Sequence, residues 1–288
     1  MWSGVGLVLL SAVAFSAKAV GAKLLYREGL DAVSVLTLRM GLSLPVFALS
    51  AFLNESRAAR LDARAWLEIA ALGAGLYYGS ALTDFWGLLD VSAGLERVIL
   101  FTYPTWVVIF SSMLLRERLR ARQLSALIIT YAGIALAFAS EHVATPLAWR
   151  GAGWVLLSSV LYAGYLVGGT RHIRQIGAQR FTALALTFAC TTTVVHFALS
   201  GRSLPTWNPR VYCLGLGMAL LCTVLPTFAL AAGIRRIGPS SSAILGTLGP
   251  VSTLGLAYLL LGEPIHGLQA VGTLLVLAGA TWLAFRPR

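Results

Sequence analysis

Apolar residues run along this chain in long unbroken stretches, at about 2–25, 32–53, 65–88, 92–115, 121–139, 151–170, 178–199, 211–233, 239–261 and 267–285. A helix needs about 20 mainly apolar residues to cross the hydrocarbon core of a bilayer, so the pattern predicts an all-α membrane protein with ten transmembrane helices. The runs are continuously apolar and lack the period-two alternation of an outer-membrane barrel. The connections are too short to hold a soluble domain. Composition agrees, with 58% hydrophobic and 11% charged residues and a mean hydropathy of +0.80.

The pattern also repeats. Gly4-Val-Gly-Leu-Val-Leu-Leu-Ser-Ala-Val13 returns as Gly151-Ala-Gly-Trp-Val-Leu-Leu-Ser-Ser-Val160. Pro104, Leu114, Leu115, Glu117, Gln123 and Gly133 return at a constant offset as Pro250, Leu260, Leu261, Glu263, Gln269 and Gly279. A period this long exceeds a solenoid unit of about 20–45 residues and indicates a duplicated domain, 1–140 followed by 141–288. Each copy holds five predicted spans. Five is odd, so the second copy enters the membrane from the opposite side and the two are inverted repeats.

The net charge of +11 is accounted for by topology. With the N-terminus inside, the inward connections hold Arg57, Arg60, Arg64, Arg116, Arg118, Arg120, Arg122, Arg171, Arg174, Arg180, Arg235, Arg236, Arg286 and Arg288. The outward ones hold Lys23, Arg27, Arg150, Arg202 and Arg210. Basic residues concentrate on the cytoplasmic side of membrane proteins. Both termini are therefore expected in the cytoplasm, and no nucleic-acid partner is needed to explain the charge. The first span aligns with an internal one and lacks a basic leader, so it is expected to be retained and not cleaved as a signal peptide.

Five charges fall within predicted spans: Lys18, Arg39, Asp84, Glu96 and Arg97. Their counterparts in the second copy are about Tyr165, Thr187, Leu230, Ser242 and Ala243, all neutral. By depth all five lie in the outer half of the bilayer. A charge at a helix centre costs about 2.5–3.5 kcal/mol on insertion scales, so these residues are expected to pair or to line a wet cavity. Asp84 with Arg97, or Glu96 with Arg39, would serve as ion pairs, and Arg39 and Arg97 could instead snorkel to headgroups. Three positive charges against two negative leave one cation over, which suits an anionic or zwitterionic ligand.

Pro104 and Pro250 sit mid-span at equivalent places, and Pro226 lies in the eighth span. Each lacks an N–H and frees a carbonyl one turn back, so all three are candidate hinges. Polar and aromatic groups at similar depth complete the candidate binding set: Tyr78, Tyr103, Trp106, Tyr162, Tyr165 and Ser242, together with Lys18 and Glu96. Buried Tyr and Trp still need a partner for O–H or N–H. Tyr77 and Ser241 lie among the same groups. Glu117 and Glu263 stand at span ends, where they would favour the positive N-termini of the helices that follow. Gly75-xxx-Gly79 and Gly164-xxx-Gly168 are close-packing pairs. Cys190, Cys213 and Cys222 have no metal-ligand spacing and read as small apolar side chains. His196 is the one histidine within a span, with no paired acid, and no nucleophile, zinc or phosphate-loop motif occurs. An enzyme is not expected, nor a cofactor or metal.

These features resemble the drug/metabolite transporter superfamily and, within it, the EamA-domain branch: ten spans in two repeats, Phe15-Ser-Ala-Lys18 with Lys23, Leu38-Arg39, and the twice-used Pro…Leu-Leu-x-Glu pattern. The resemblance covers essentially the whole chain. It implies a central cavity lined by spans 1, 3, 4, 6, 8 and 9, which suits Lys18, Tyr78, Glu96, Tyr103, Tyr162 and Ser242. Many members carry Trp-Gly where this chain has Phe15-Ser16, so no single member's cargo carries over. The expected activity is secondary transport, exporting a small polar metabolite such as an amino acid or related zwitterion or anion across the cytoplasmic membrane by alternating access. Asp84 or Glu96 would be the carrier if protons drive the cycle, because a carboxylate beside a changing positive neighbour changes its proton affinity. Export of lipophilic drugs or cations, and a lipid-carrier flippase subunit, are the alternatives. The chain would act as a monomer or homodimer.

Overall fold

Only a helix satisfies its own backbone groups within one apolar segment, and the long runs fold accordingly. The computed structural model describes residues 2–53, 61–115, 121–139, 146–204 and 208–284, and no strand occurs among them. The helical segments fall into rods that follow the ten apolar runs: α1 (Trp2–Arg27), α2 (Ala32–Leu53), α3 (63–87), α4 (93–115), α5 (Ala121–Ala139), α6 (Pro146–Ile176), α7 (Ala178–Leu199), α8 (Pro209–Ile237), α9 (239–261) and α10 (Gly267–Ala284). Among the described residues six helices are long and apolar enough to cross a membrane: α1, α2, α4 over Ala93–Met113, α6, α7 and α8. Ile128–Ala139, Leu248–Leu261 and Gly267–Gly279 are shorter apolar helices. The sixth helix runs well beyond the 151–170 expected of it. Glu117, the arginines Arg57, Arg60, Arg116, Arg118, Arg120, Arg286 and Arg288, and the expected boundary between the copies lie outside the described residues.

Packing follows a pseudo-two-fold. α1 packs on α8 and α9, as α6 packs on α3 and α4, while α2 meets α7 and α5 meets α10. The repeated Gly-x-x-x-Val segment explains part of this. A Cβ on Gly87 of α3 would lie 2.4 Å from Val155 Cγ2 of α6, and one on Gly233 of α8 would lie 2.4 Å from Val8 Cγ2 of α1. Only a hydrogen at these two positions admits the neighbouring valine. The repeated serines close the same joints: Ser11 Oγ donates to Pro226 O and Ser158 Oγ to Ser80 O, each at 2.8 Å. Gly133 and Gly272 bring α5 and α10 into backbone contact, where either Cβ would meet the other's carbonyl at 2.6 or 2.5 Å.

Four rods are interrupted, again in matched pairs. α3 contains a π turn at Leu72–Tyr77, between Ala63–Ala71 and Tyr78–Gly87. α8 contains one at Leu220–Val224, between Pro209–Ala219 and Leu225–Ile237. α4 breaks between Ala93–Leu100 and Tyr103–Leu115, and α9 between Pro239–Gly246 and Leu248–Leu261. Pro104 and Pro250 therefore start new helical segments just past the breaks, as a missing N–H dictates. Pro226 follows its π turn, where Leu225 N reaches back five residues to Leu220 O. Pro45 lies inside α2 without interrupting it.

The two ends of the bundle differ. At the end holding the α1–α2 connection, expected outward, basic side chains are individually matched. Arg150 grips Asp90 with two hydrogen bonds of 2.9 Å, Arg202 meets Asp31 at 2.6 Å and Arg210 meets Glu28 at 3.0 Å. Arg27 donates to Leu261 O at 2.7 Å. At the opposite end Glu68 gathers Arg64 (2.8 Å) and the buried His172 (3.1 Å).

Candidate functional site: a buried charge cluster

Three of the five embedded charges meet where α1, α3 and α4 cross. The Lys18 ammonium donates to Asp84 Oδ2 and, at 3.1 Å, to Glu96 Oε1. All three are buried: Lys18 is 7% exposed, Asp84 3% and Glu96 0%. The second oxygens, Asp84 Oδ1 and Glu96 Oε2, accept from no donor group, and the two carboxylates lie within reach of each other, so one ammonium serves a close pair of acids. The local structure of α4 favours the acid. Ser92 caps the helix, accepting from Leu95 N at 3.1 Å, and Glu96 lies in the first turn, where the helix N-terminus stabilises negative charge. Glu263, from the connection before α10, accepts the Ala93 N–H at 3.1 Å. It thus caps the N-terminus of α4.

Arg97 points the other way, across the crossing of α1 and α9. It stands over the Phe101 ring at 6.0 Å, its Nε has no hydrogen-bond partner, and its terminal nitrogen would be 3.1 Å from a Cβ on Gly249. Ser16 Oγ donates to Gly249 O at 2.8 Å. Arg39 does not join the cluster. Its Nε donates to Thr223 Oγ1 of α8 at 2.8 Å, and its guanidinium lies over the Phe85 ring at 5.6 Å. The pairings Asp84–Arg97 and Glu96–Arg39 suggested by sequence are therefore replaced by a single Lys18 bridge. Lys18 has the flexible stem and compact head that reach two acids on separate helices.

On the other side of the cluster, aromatic rings form a column between α3, α4 and α6. Tyr103 packs edge-on to Tyr162 at 5.3 Å, Tyr77 edge-on to Tyr165 at 5.2 Å, and Tyr165 stacks on Phe181 at 5.6 Å. Trp106 is half-buried beside Phe110, with no partner for its Nε1. Tyr78 lies on another face of α3, hydrogen-bonded to His196 of α7, and its neighbour Tyr77 takes the place in the column. Ser242 is buried but bonds its own helix, donating to Gly238 O at 2.8 Å. Among the described residues no group of three or more His, Cys, Asp or Glu could hold a metal ion.

A cavity of about 570 Å³ opens at the α1–α2 end of the bundle, lined by Lys23, Asp90, Ser92, Glu263, His266 and Gln269 among others. Lys23 is five residues beyond Lys18, and Ser92 is four before Glu96, so the cavity stands about a turn from the cluster. Thr223 and Gly249 escaped the sequence reading, as did Asp90 and Ser92 of this cavity, while Ser16, Lys23, Glu263 and Gln269 were noted there without a place in a site. Ser16 and Gly249 adjoin Lys18 and Pro250, which is the signal that could have drawn attention to them. Thr223 has none, since a π turn is not written in residue type.

The EamA-like transporter family matches residues 2–139 and again 149–285, the two halves that pack as pseudo-symmetric copies. The chain belongs to this family. It is similar to the uncharacterized transporter YcbK of Bacillus subtilis (strain 168), 31% identical over 279 residues covering 94% of this chain and 89% of that one. It is also similar to the uncharacterized transporter YyaM of the same organism, at 23% identity over 76% of this chain and 72% of the relative. A third relative, the uncharacterized transporter sll1319 of Synechocystis, is 27% identical over 65% of this chain and 57% of its own. A crystal structure with 16% identity matches 98% of this chain and 96% of its own with a TM-score of 0.65, a likeness of fold alone. This EamA-family transporter is thus a multi-pass, all-helical membrane protein. The charge cluster and the tyrosine column lie at the junction of its two copies, α1, α3 and α4 from the first and α6 and α9 from the second.

Proposed function

We propose that this EamA-family transporter exports a small polar metabolite, an amino acid or related zwitterion or anion, across the cytoplasmic membrane. In this proposal it has ten spans, both termini cytoplasmic, and two repeats that rock about a central site. The carrying observation is the buried cluster itself, which offers both signs of charge within one crossing. Asp84 and Glu96 present carboxylates to an ammonium, while Lys18 presents donors to a carboxylate. Buried ions retained at this cost in a membrane protein are functional by default. The tyrosine column supplies the apolar walls, and the breaks beside Pro104 and Pro250 and the π turn ahead of Pro226 supply the bends for rocking.

A cargo carboxylate that draws Lys18 away leaves Asp84 and Glu96 facing each other in a medium that penalises unpaired charge. A proton taken up there restores the balance, which makes this pair the proton carrier of a coupled cycle. Replacing Glu96 by Gln is expected to abolish pH dependence of transport; retained dependence removes Glu96 from that role. Export of lipophilic cations is the second reading. It is favoured by the local sum of one ammonium against two carboxylates beside four tyrosines, Tyr77, Tyr103, Tyr162 and Tyr165.

The deciding experiment is an untargeted comparison of the medium from cells overproducing the wild type, an expression-matched Lys18→Ala variant, and empty vector. A polar compound enriched with the wild type alone is expected. Equal enrichment with the variant would take Lys18 out of the path, and no change in either would turn the assignment away from export.

A further inference from the structure

Arg39 is an embedded cation that hydrogen-bonds outside the Lys18 cluster. It is 5% exposed on α2; its Nε bonds Thr223 Oγ1, its guanidinium lies over the Phe85 ring, and its charge acts on Asp84 and on the Tyr77 hydroxyl. A buried cation is costly to hold, so the hydrogen bond it makes is informative. Thr223 lies in the α8 π turn and passes the contact on, its hydroxyl donating at 3.0 Å to Met218 O, five residues back. Tyr77 is the last residue of the α3 π turn. Thr223 and Tyr77 are repeat equivalents, separated by 223 − 77 = 146 positions like Pro104 and Pro250. Arg39 therefore hydrogen-bonds the α8 π turn, and only its charge reaches the equivalent end of the α3 π turn.

The second copy treats its half of this joint differently. On α7, half a turn from Thr187, the approximate counterpart of Arg39, lies Ala185. Its carbonyl packs directly on the α3 π turn, where a Cβ on Gly73 would come within 2.2 Å of Ala185 O. One π turn is thus held by bare backbone contact and the other by a charged side chain. Ser43, one turn along α2, adds hydrogen bonds to Arg39 O at 2.8 Å and Ala219 O at 3.3 Å, so α2 grips α8 over the whole approach to its bend. π turns within α-helices commonly mark functional sites.

We propose that Arg39 is a positioning residue that pins the π turn of α8, in the second copy, to α2 of the first, so that this bend does not open independently of α2. It holds the helices that frame the site and does not bind cargo.

The native cysteines provide a test that needs no cargo. Cys222 is buried inside the pinned turn, Cys190 is buried in the core on α7, and Cys213 is exposed. Reaction of the purified full-length protein with N-ethylmaleimide, resolved by peptide mass spectrometry, reads the turn and the core separately. Thr223→Val, which keeps every charge, and Arg39→Lys, which keeps the charge but loses the Nε donor, are each expected to speed alkylation of Cys222 by about tenfold or more. Tenfold corresponds to about 1.4 kcal/mol, the scale of a hydrogen bond to a charged group. Cys190 should stay as protected as in the wild type, and Thr223→Ser, which restores the hydroxyl, should behave as wild type. The double variant should react no faster than either single. Unchanged Cys222 protection in Thr223→Val, loss of Cys190 protection together with Cys222, failure of Thr223→Ser to rescue, or additive effects in the double variant would each overturn the pin.

Discussion

Lys18 and its two acids show how unequal neighbouring charges become once folded. Lys18, Asp84 and Glu96 are each less than a tenth exposed, and one ammonium serves both carboxylates. Removing one member of a buried ion cluster typically costs about 3–5 kcal/mol, because the survivors are left uncompensated, whereas removing all charges together costs far less. Lys18→Met is therefore expected to lower the thermal stability of the detergent-purified protein markedly, and Lys18→Met/Asp84→Asn/Glu96→Gln to recover most of it. Equal melting temperatures for the two would mean that the cluster is already solvated or neutral in the single variant. At this scale the sequence named the right residues but not their partners. Which acid a buried cation meets depends on helix rotation, and no residue type reports it.

Helices pack here through positions where a side chain is missing. Gly87 and Gly233 admit Val155 and Val8 at distances that leave no room for a Cβ, whereas Gly75 and Gly153 face open space. Gly87→Val and Gly233→Val are expected to destabilise the α3–α6 and α1–α8 joints by about 1–3 kcal/mol each, the usual cost of overpacking. Gly75→Ala and Gly153→Ala should change the melting temperature little. The Gly75-xxx-Gly79 motif was visible in the sequence, yet Gly75 has no neighbour within 4 Å, while Gly73, outside the motif, lies against Ala185 O. The interruptions of α4 and α9 were legible because proline lacks an N–H. The α3 π turn was not, since no proline stands near it.

For the molecule as a whole, orientation is the property most open to direct measurement. In a Cys213→Ser background, a membrane-impermeant thiol reagent applied to intact cells is expected to label Leu147→Cys, at the mouth of the 570 Å³ cavity. Gln175→Cys, at the far end of α6, should react only after permeabilisation. The reverse pattern would invert the topology. Arg150, Arg202 and Arg210 at the α1–α2 end are paired to Asp90, Asp31 and Glu28. The sequence by itself determined the helical class and the duplication, because hydropathy and sequence repetition are properties that survive any packing. Only the tertiary structure decided that Lys18 bridges Asp84 and Glu96, that Arg39 turns to Thr223, and that Tyr77 displaces Tyr78 from the column. Those outcomes depend on the rotation and bending of helices against one another, which close glycine contacts and π turns set across distances the sequence does not encode.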